Sequence, residues 1–215
     1  MMLVVWDFHG VLEMGNEYAV TEMSNTILSN NGYSKRFTDE QVKKLYGKKW
    51  WQYFKYLLPE ESNNTWMNLQ SDCFKYNTEH PEIIAKYIIL TPGALEVIEL
   101  IKSKGLDQII ISNTNTESLP LFLKAVGLID HFSNDHAFAV DNQINLSQTK
   151  NQVLRKYLKN KIYERIIIIG DSLGDMALKS VAGGTTFLYT HPGLIHRDCE
   201  ADYKIHDLRE VLKIL

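Results

Sequence analysis

The 215-residue sequence has few cysteines. Cys73 and Cys199 stand far apart, with no Cys-x-x-Cys or Cys/His spacing. This argues against a thiolate metal site and a disulfide scaffold, and we expect two reduced thiols. Low-complexity tracts, internal repeats and long apolar runs are also missing. The apolar start, residues 1–6, is too short for a signal sequence or a membrane span, so we expect a cytoplasmic protein.

The sequence also lacks an excess of either charge. Its 23 Lys and Arg residues nearly balance 26 Asp and Glu residues, which leaves a net charge of −3. Nothing global therefore suggests a nucleic-acid or membrane partner, and any anionic ligand has to be bound by local groups. With 45% hydrophobic and 11% aromatic residues, the composition is that of an ordinary globular protein. We expect a monomer or a small homo-oligomer.

Four short runs rich in apolar residues predict strands that are buried on both faces. They cover residues 2–6, 108–111, 165–169 and 185–189. Helical patterns separate them: one after Pro92 with Leu95, Ile98 and Ile101 at helical spacing, and others at 119–126, 150–158 and about 208–214. Strands without alternation, separated by helices, indicate a doubly wound α/β fold with a parallel sheet. Ligands of such folds bind at the carboxyl ends of the strands.

About a hundred residues separate the first two predicted strands, whereas a single crossover with its helix needs roughly 30. We therefore predict an α/β core formed by residues 1–13 and 89–215, and a small helical domain formed by residues 14–88. A single larger domain is the alternative. Within the insertion the patterns predict helices at 18–28, 39–46, 50–58 and 65–76.

Acidic residues follow two of the predicted strands. Asp7 comes directly after the first strand, and Asp171 and Asp175 follow the strand at 165–169. If these strands are neighbours, three carboxylates converge, and they cannot all stay ionised without a cation. A ligand set made only of oxygens suits Mg²⁺. As the alternative, Asp171 and Asp175 could serve only as an N-cap and a first-turn acid of the next helix.

Two further residues have the chemistry to hold phosphate. Ser112 follows the strand at 108–111 and opens a polar turn whose hydroxyl and N–H groups suit phosphate oxygens. Lys150 begins a predicted helix, from which it can reach back to the carboxylates. The alternatives are an ordinary turn serine and a solvated surface lysine.

These motifs, in this order, resemble those of phosphatases of the haloacid dehalogenase superfamily with an inserted helical cap, and the resemblance covers essentially the whole chain. It implies that Asp7 attacks phosphorus and forms an aspartyl-phosphate, which water then hydrolyses. The implied substrate is a small phosphorylated metabolite, with phosphoglycolate and sugar phosphates as candidates.

The same resemblance assigns the remaining roles. Phosphate oxygens would be held by Ser112, Asn113 and Lys150. Mg²⁺ would be bound by Asp7, the backbone carbonyl of His9, Asp171 and Asp175. In the cap, the segment from Tyr46 to Trp51 resembles a specificity segment, and Lys48 or Lys49 could meet a substrate anion. Alternatively these lysines form a solvated face.

His9 departs from the family pattern, because these phosphatases carry a second Asp two residues after the nucleophile. That Asp protonates the leaving group and then activates water. An imidazole titrates near neutral pH and can do both, so we expect His9 to be the acid/base group. The alternative is a histidine that only packs.

The departure at position 9 also leaves other functions open. One is a phosphosugar mutase of the same superfamily, and another is a catalytically weak module that binds phosphate ligands. Dehalogenation fits poorly, because Asp171 and Asp175 complete a motif that dehalogenases lack.

Overall fold

The computed structural model describes residues 1–133, 135–140, 148–193 and 199–215. The strands of these residues are β1 (Met2–Trp6), β2 (Glu13–Met14), β3 (Ile89–Leu90), β4 (Asp107–Ser112), β5 (Ala137–Ala139), β6 (Arg165–Gly170), β7 (Thr185–Tyr189) and β8 (Tyr203–Ile205). The helices are α1 (Asn16–Asn30), α2 (Asp39–Leu45), α3 (Trp50–Leu57), α4 (Asn63–Glu79), α5 (Pro81–Tyr87), α6 (Ala94–Ser103), α7 (Ser118–Ala125), α8 (Lys150–Leu158), α9 (Leu173–Met176) and α10 (Lys179–Ala182), followed by a 3-10 helix at Leu208–Ile214.

The central sheet has six strands in the order β5-β4-β1-β6-β7-β8, and its neighbouring strands pair in parallel. The predicted doubly wound α/β fold is therefore confirmed. Each of the four predicted strands coincides with an observed strand to within one residue at either end. Strand β1 lies between β4 and β6, which makes the end of β1 the centre of the carboxyl edge.

Alternate residues of β1 pack into two different hydrophobic clusters, one on each face of the sheet. Val4 and Trp6 belong to a cluster with residues of α6, α7 and the 3-10 helix. Leu3 and Val5 belong to another, with residues of α8 and the partly buried Val181 of α10. Burial on both faces explains the continuous apolar character of the strand.

The helix predicted after Pro92 is α6, whose buried face is formed by Ala94, Val97, Ile98 and Ile101. Leu95, at the predicted helical spacing, is 37% exposed. The last predicted helix is a 3-10 helix, closed at its start by Asp207, whose side chain accepts a hydrogen bond from the Arg209 N–H.

Helices α1 to α5 form an insertion, in which α1 to α4 share a hydrophobic cluster that is separate from those of the sheet, whereas Ile84 of α5 packs in a cluster of the sheet. The buried residues of the cluster shared by α1 to α4 include Leu28, Val42, Phe54, Trp66 and Leu69. Four of the five helices match predicted ones, whereas α5 was missed. No helix in the described residues is both long and apolar enough to cross a bilayer.

A two-stranded antiparallel sheet, also missed, joins the insertion to the core. Glu13 of β2 pairs with Leu90 of β3, at the point where the chain leaves the core and returns to it. Gly15 follows with φ of 96°, and a Cβ there would collide with the Tyr87 carbonyl oxygen. The two connecting segments can pass this closely only because position 15 has no side chain.

Candidate active site

The order of the strands brings three predicted residues to one edge of the sheet. Asp7 follows β1, Ser112 is the last residue of β4, and Asp171 follows β6. Since β4 and β6 flank β1, the hydroxyl and the second carboxylate lie on either side of Asp7. Backbone pairing extends past the strand, because the Asp7 N–H donates to the Ile169 carbonyl at 2.9 Å.

Lys150 joins this edge from the start of α8. The helix begins in a capping box, in which Thr149 accepts from the Gln152 N–H and Gln152 accepts from the Thr149 N–H. Lys150 Nζ lies 2.7 Å from Asp7 Oδ1 and 2.6 Å from Asp175 Oδ1, and all three residues are buried. Burial lowers the pKa of Lys150, but Asp175 and Asp7 raise it by more. The lysine therefore stays charged and is not a solvated surface residue.

Asp175 supports both the ion pair and the local backbone. Its Oδ2 accepts from the Ser172 N–H at 3.1 Å and from Ser172 Oγ at 2.5 Å. The N-cap of α9 is thus Ser172 rather than Asp171, and Asp175 is the third helical residue. The Asp175 carboxylate therefore takes part in the helix cap through Oδ2 and contacts Lys150 through Oδ1. Gly170 makes this possible, because a Cβ there would collide with the Asp175 side chain.

Three carboxylates form a cluster that could hold a metal ion. Asp7, Asp171 and Asp175 each offer an oxygen, and these oxygens all lie within 4.8 Å of one another. Gly10, in the turn after Asp7, has a φ of 80°. Because it has no side chain, it leaves room for the carboxylate cluster. A Cβ on Gly10 would lie 2.6 Å from Asp171 Oδ2.

Without a cation, the environment of Asp7 opposes its ionisation. Burial and repulsion from Asp175 and Asp171 raise the pKa of Asp7 to about 8, although Lys150 acts in the opposite direction. The Phe8 N–H donates to Asp7 Oδ1 at 2.7 Å. This amide is therefore engaged by the carboxylate.

Ser112 and Asn113 have different surroundings. Ser112 is fully buried, and its Oγ has no hydrogen-bond partner among the described residues. Buried hydroxyl groups rarely remain without a partner, so the site provides a place for an acceptor or donor from a ligand. Asn113 Nδ2 donates to the Gly47 carbonyl of the insertion at 3.3 Å.

A cavity of about 70 Å³ lies between the core and the insertion, with Asp7 in its wall. The core also contributes His9, Asn113 and Ser118, and the insertion contributes Lys48. The rest of the insertion's share of the wall is Asn16, Val20, Met23, Tyr46, Gly47, Trp50, Tyr53, Phe74 and Asn77. Lys49, the residue after Lys48, is the N-cap residue of α3.

His9, like Asp7, lines the cavity, and its ring contacts Glu13, a residue that the sequence analysis did not identify as a candidate. Its Nδ1 is 2.9 Å from Oε1 of Glu13, and its ring packs edge-on against Phe122 at 4.7 Å. Glu13 also accepts from the Tyr46 hydroxyl at 2.8 Å. The one available signal was an acidic residue in an otherwise apolar segment, four positions after His9.

These features define a class of protein: a parallel α/β core with a helical insertion after its first strand and an acidic, lysine-containing site at the carboxyl edge. The family described as haloacid dehalogenase-like hydrolases matches residues 4–188, and the chain belongs to this family. The resemblance inferred from the sequence motifs is therefore confirmed at the level of the family.

Solved structures share the fold over nearly the full length. A predicted phosphoglycolate phosphatase from Haemophilus somnus 129PT has a TM-score of 0.80 at 18% identity, covering 99% of this chain and 96% of its own. A HAD-family hydrolase from Deinococcus radiodurans R1, with bound phosphate and sodium, has a TM-score of 0.67 at 17% identity, covering 97% and 92%. A haloacid dehalogenase-like hydrolase from Streptococcus pneumoniae has a TM-score of 0.76 at 18% identity, covering 99% and 96%. No curated protein matches the chain.

The raised pKa of Asp7 predicts how stability depends on pH without metal. Between the ordinary value of 3.8 and about 8, folded Asp7 keeps a proton that the unfolded chain has released. This contribution is complete below pH 3.8 and is lost as pH rises through about 8. Each pKa unit is worth about 1.4 kcal/mol, so the loss is on the order of a few kcal/mol.

Asp7→Asn removes this dependence, so the variant should lose less stability between pH 5 and pH 8 than the parent. The measurement is urea unfolding of both proteins in EDTA across this range. Asp130→Asn makes the same chemical change at an exposed position and should follow the parent. Parallel curves for the parent and Asp7→Asn would contradict the assignment.

Proposed function

We propose that the protein is a phosphoric monoester hydrolase that works through an aspartyl-phosphate on Asp7. One observation carries the proposal: a buried carboxylate at the end of the central strand contacts a buried lysine at 2.7 Å, within a cluster of three carboxylates. A nucleophile for phosphorus needs positive charge beside it, because the attacked group is itself anionic. The phosphate bound in the Deinococcus radiodurans relative supports the same reaction class.

Two residues are suited to the transferring phosphoryl group. Lys150 has a fixed position between Asp7 and Asp175, so its charge is in place before a substrate arrives. The buried Ser112 hydroxyl, without a partner among the described residues, can donate to a phosphoryl oxygen. Asn113 lines the cavity that has Asp7 in its wall and adds an amide. Together they would hold the oxygens that gain charge during transfer.

The acidic cluster fits Mg²⁺. Its donors are oxygens only, which a hard divalent cation prefers, and the raised pKa of Asp7 indicates negative charge that lacks compensation. Asp171 and Asp7 would bind the ion, with the His9 carbonyl beside them. Asp175 would support it, because both of its oxygens already accept hydrogen bonds. A bound Mg²⁺ would neutralise charge on the nucleophile and the phosphate.

The chain's own groups can complete two balanced steps. Asp7 attacks phosphorus, the bond from phosphorus to the leaving oxygen breaks, and His9 gives that oxygen a proton. Water then attacks phosphorus, the bond to Asp7 breaks, and His9 takes the proton of the water. Inorganic phosphate leaves and Asp7 is restored. The presence of both His9 and Asp7 in the cavity wall supports this assignment.

We further propose that residues 14–88 are a cap domain on a core of residues 1–13 and 89–215. Three hydrogen bonds connect the two parts around the cavity: Tyr46 to Glu13, Asn113 to Gly47, and Asn77 to Ser118. A cover of this kind excludes polymers and bulk water from the site. The substrate would then be a small phosphorylated metabolite.

The wall that the cap contributes suits an uncharged and largely apolar substrate body. Its aromatic members are Tyr46, Trp50, Tyr53 and Phe74, and its only cationic side chain among the described residues is Lys48. A second anionic group, such as the carboxylate of phosphoglycolate, would therefore depend on Lys48 alone. A phosphorylated alcohol that carries a ring or a short apolar chain matches this wall better.

The first prediction concerns Asp7, the proposed nucleophile. Asp7→Asn should stay folded but lose phosphatase activity by roughly 10³-fold or more, as other hydrolases do without their nucleophile. Hydrolysis of p-nitrophenyl phosphate with Mg²⁺, and again with EDTA, measures this. A folded Asp7→Asn variant that keeps most of its activity would refute the mechanism, as would full activity of the parent in EDTA.

The carboxylates should differ in their effect on the metal. Asp171→Asn is expected to raise the Mg²⁺ concentration for half-maximal activity by about tenfold or more, since an inner ligand is lost. Asp175→Asn should raise it less but lower the melting temperature more, because it removes a buried partner of Lys150. Mg²⁺ titration and thermal unfolding of both variants separate the two roles. The reverse ranking would contradict them.

The cavity wall predicts the substrate preference. Benzyl phosphate should have a kcat/KM about tenfold or more above that of phosphoglycolate, because one buried ring contributes one to three kcal/mol. Both leaving groups are alkoxides, which keeps the chemistry comparable. Lys48→Met should lower kcat/KM for phosphoglycolate and spare benzyl phosphate. A parent enzyme that prefers phosphoglycolate would overturn this substrate class.

A further inference from the structure

Glu13 has surroundings that the proposed reaction does not yet explain. It lies in β2 at 0% exposure, and three groups converge on its Oε1. These are His9 Nδ1 at 2.9 Å, the Gly10 N–H at 3.2 Å and the Tyr46 hydroxyl at 2.8 Å. Its other oxygen, Oε2, has no hydrogen-bond partner among the described residues. A buried carboxylate that is only half satisfied is costly.

The local backbone holds Glu13 against His9. The carbonyl of Phe8 accepts hydrogen bonds from the N–H groups of Val11, Leu12 and Glu13, which closes the turn after the nucleophile. His9 and Glu13 also form a β-bridge. The fold of the turn therefore keeps the two side chains close to each other.

From this geometry we propose that Glu13 is a positioning residue that acts through His9. An ionised carboxylate only accepts hydrogen bonds, and the Gly10 N–H and the Tyr46 hydroxyl both donate to Oε1. The His9 contact then requires a proton on Nδ1. This fixes the tautomer and leaves Nε2 as the nitrogen that exchanges protons with the substrate and water.

Packing restrains the ring in the same orientation. The imidazole meets Phe122 edge-on at 4.7 Å and Phe8 at 5.2 Å, so rotation would break two aromatic contacts and the bond to Glu13. The family's Asp has no tautomers, whereas an imidazole does. A histidine in its place therefore needs a partner that selects one of them.

Tyr46 makes the arrangement depend on the insertion. Its hydroxyl comes from the segment between α2 and α3, and burial, followed by repulsion from Glu13 and Glu17, keeps its pKa well above the ordinary value. It therefore remains a donor to Glu13. When the cap is seated, the carboxylate that orients His9 is itself held in place.

A purely structural role for Glu13 makes a different prediction. Gln at this position has the same shape and still offers a carbonyl oxygen to Gly10 and Tyr46. It removes the charge, and a neutral carbonyl oxygen holds the Nδ1 proton more weakly than a carboxylate does, so the other tautomer gains population. Glu13→Gln therefore preserves the fold under both interpretations and lowers turnover only if Glu13 orients His9.

The inference rests on the proposed acid/base role of His9, so the test is a double-mutant cycle in the full-length enzyme with Mg²⁺ and benzyl phosphate. His9→Ala should lower kcat by roughly 10²–10⁴-fold. Glu13→Gln should lower kcat by at least about tenfold with little change in KM. In the His9→Ala background, Glu13→Gln should have almost no further effect, because its route is already removed.

Glu17→Gln is the matched control. Glu17 is also a buried carboxylate with Oε2 unpartnered among the described residues. The Glu17→Gln variant should have a kcat near that of the parent. Nitrogen-15 NMR of histidine-labelled protein, assigned with His9→Ala, should report an Nδ1-protonated ring in the parent and a shift toward Nε2 protonation in Glu13→Gln.

The outcomes separate the two proposals. If His9→Ala keeps the parental kcat, the acid/base role of His9 fails and the role of Glu13 fails with it. If His9→Ala is impaired but Glu13→Gln is not, Glu13 alone is misassigned. An equal loss from Glu13→Gln with and without His9 would also overturn the inference, because Glu13 would then act by another route.

Discussion

The arrangement of the site depends on one buried ammonium group. Lys150 Nζ lies between Asp7 and Asp175 and so connects the central strand, the start of α8 and the start of α9. Charges of this kind are stable in the interior only when they are paired, and loss of one partner costs about 3–5 kcal/mol. The lysine therefore sets the positions of both carboxylates, while the ionised cluster of Asp7, Asp171 and Asp175 stays two positive charges short of neutrality.

Because the carboxylate cluster lacks positive charge, the core and the insertion have different roles in the site. The carboxyl edge of the sheet concentrates charge, with Asp7, Asp171 and Asp175 together. The insertion contributes mostly apolar and aromatic side chains to the cavity, which lower the local polarity and strengthen each electrostatic contact inside. Hydrogen bonds from Tyr46 and Asn77 to the core keep the two surfaces in register.

Local signals explain which parts of the fold could be predicted. Continuous Ile and Val runs identified the central strands, and the polar residues at their ends followed from topology. Spacing alone does not fix burial, because an apolar residue at helical spacing, such as Leu95, can still lie at the boundary of the buried face. The contact between Tyr46 and Glu13 spans 33 positions, and the two-residue strand β2 has no periodicity, so neither could be read from the sequence.

The same limits explain why position 9 was understood only in part. The sequence has a histidine at the position where the family has an aspartate. This substitution indicated that a negative charge is lost at position 9. The structure places another carboxylate, Glu13, against that histidine. The carboxylate of this turn therefore lies on Glu13, where it contacts the imidazole, and not in the cluster of Asp7, Asp171 and Asp175. A fourth carboxylate in that cluster would add to the repulsion that already raises the pKa of Asp7.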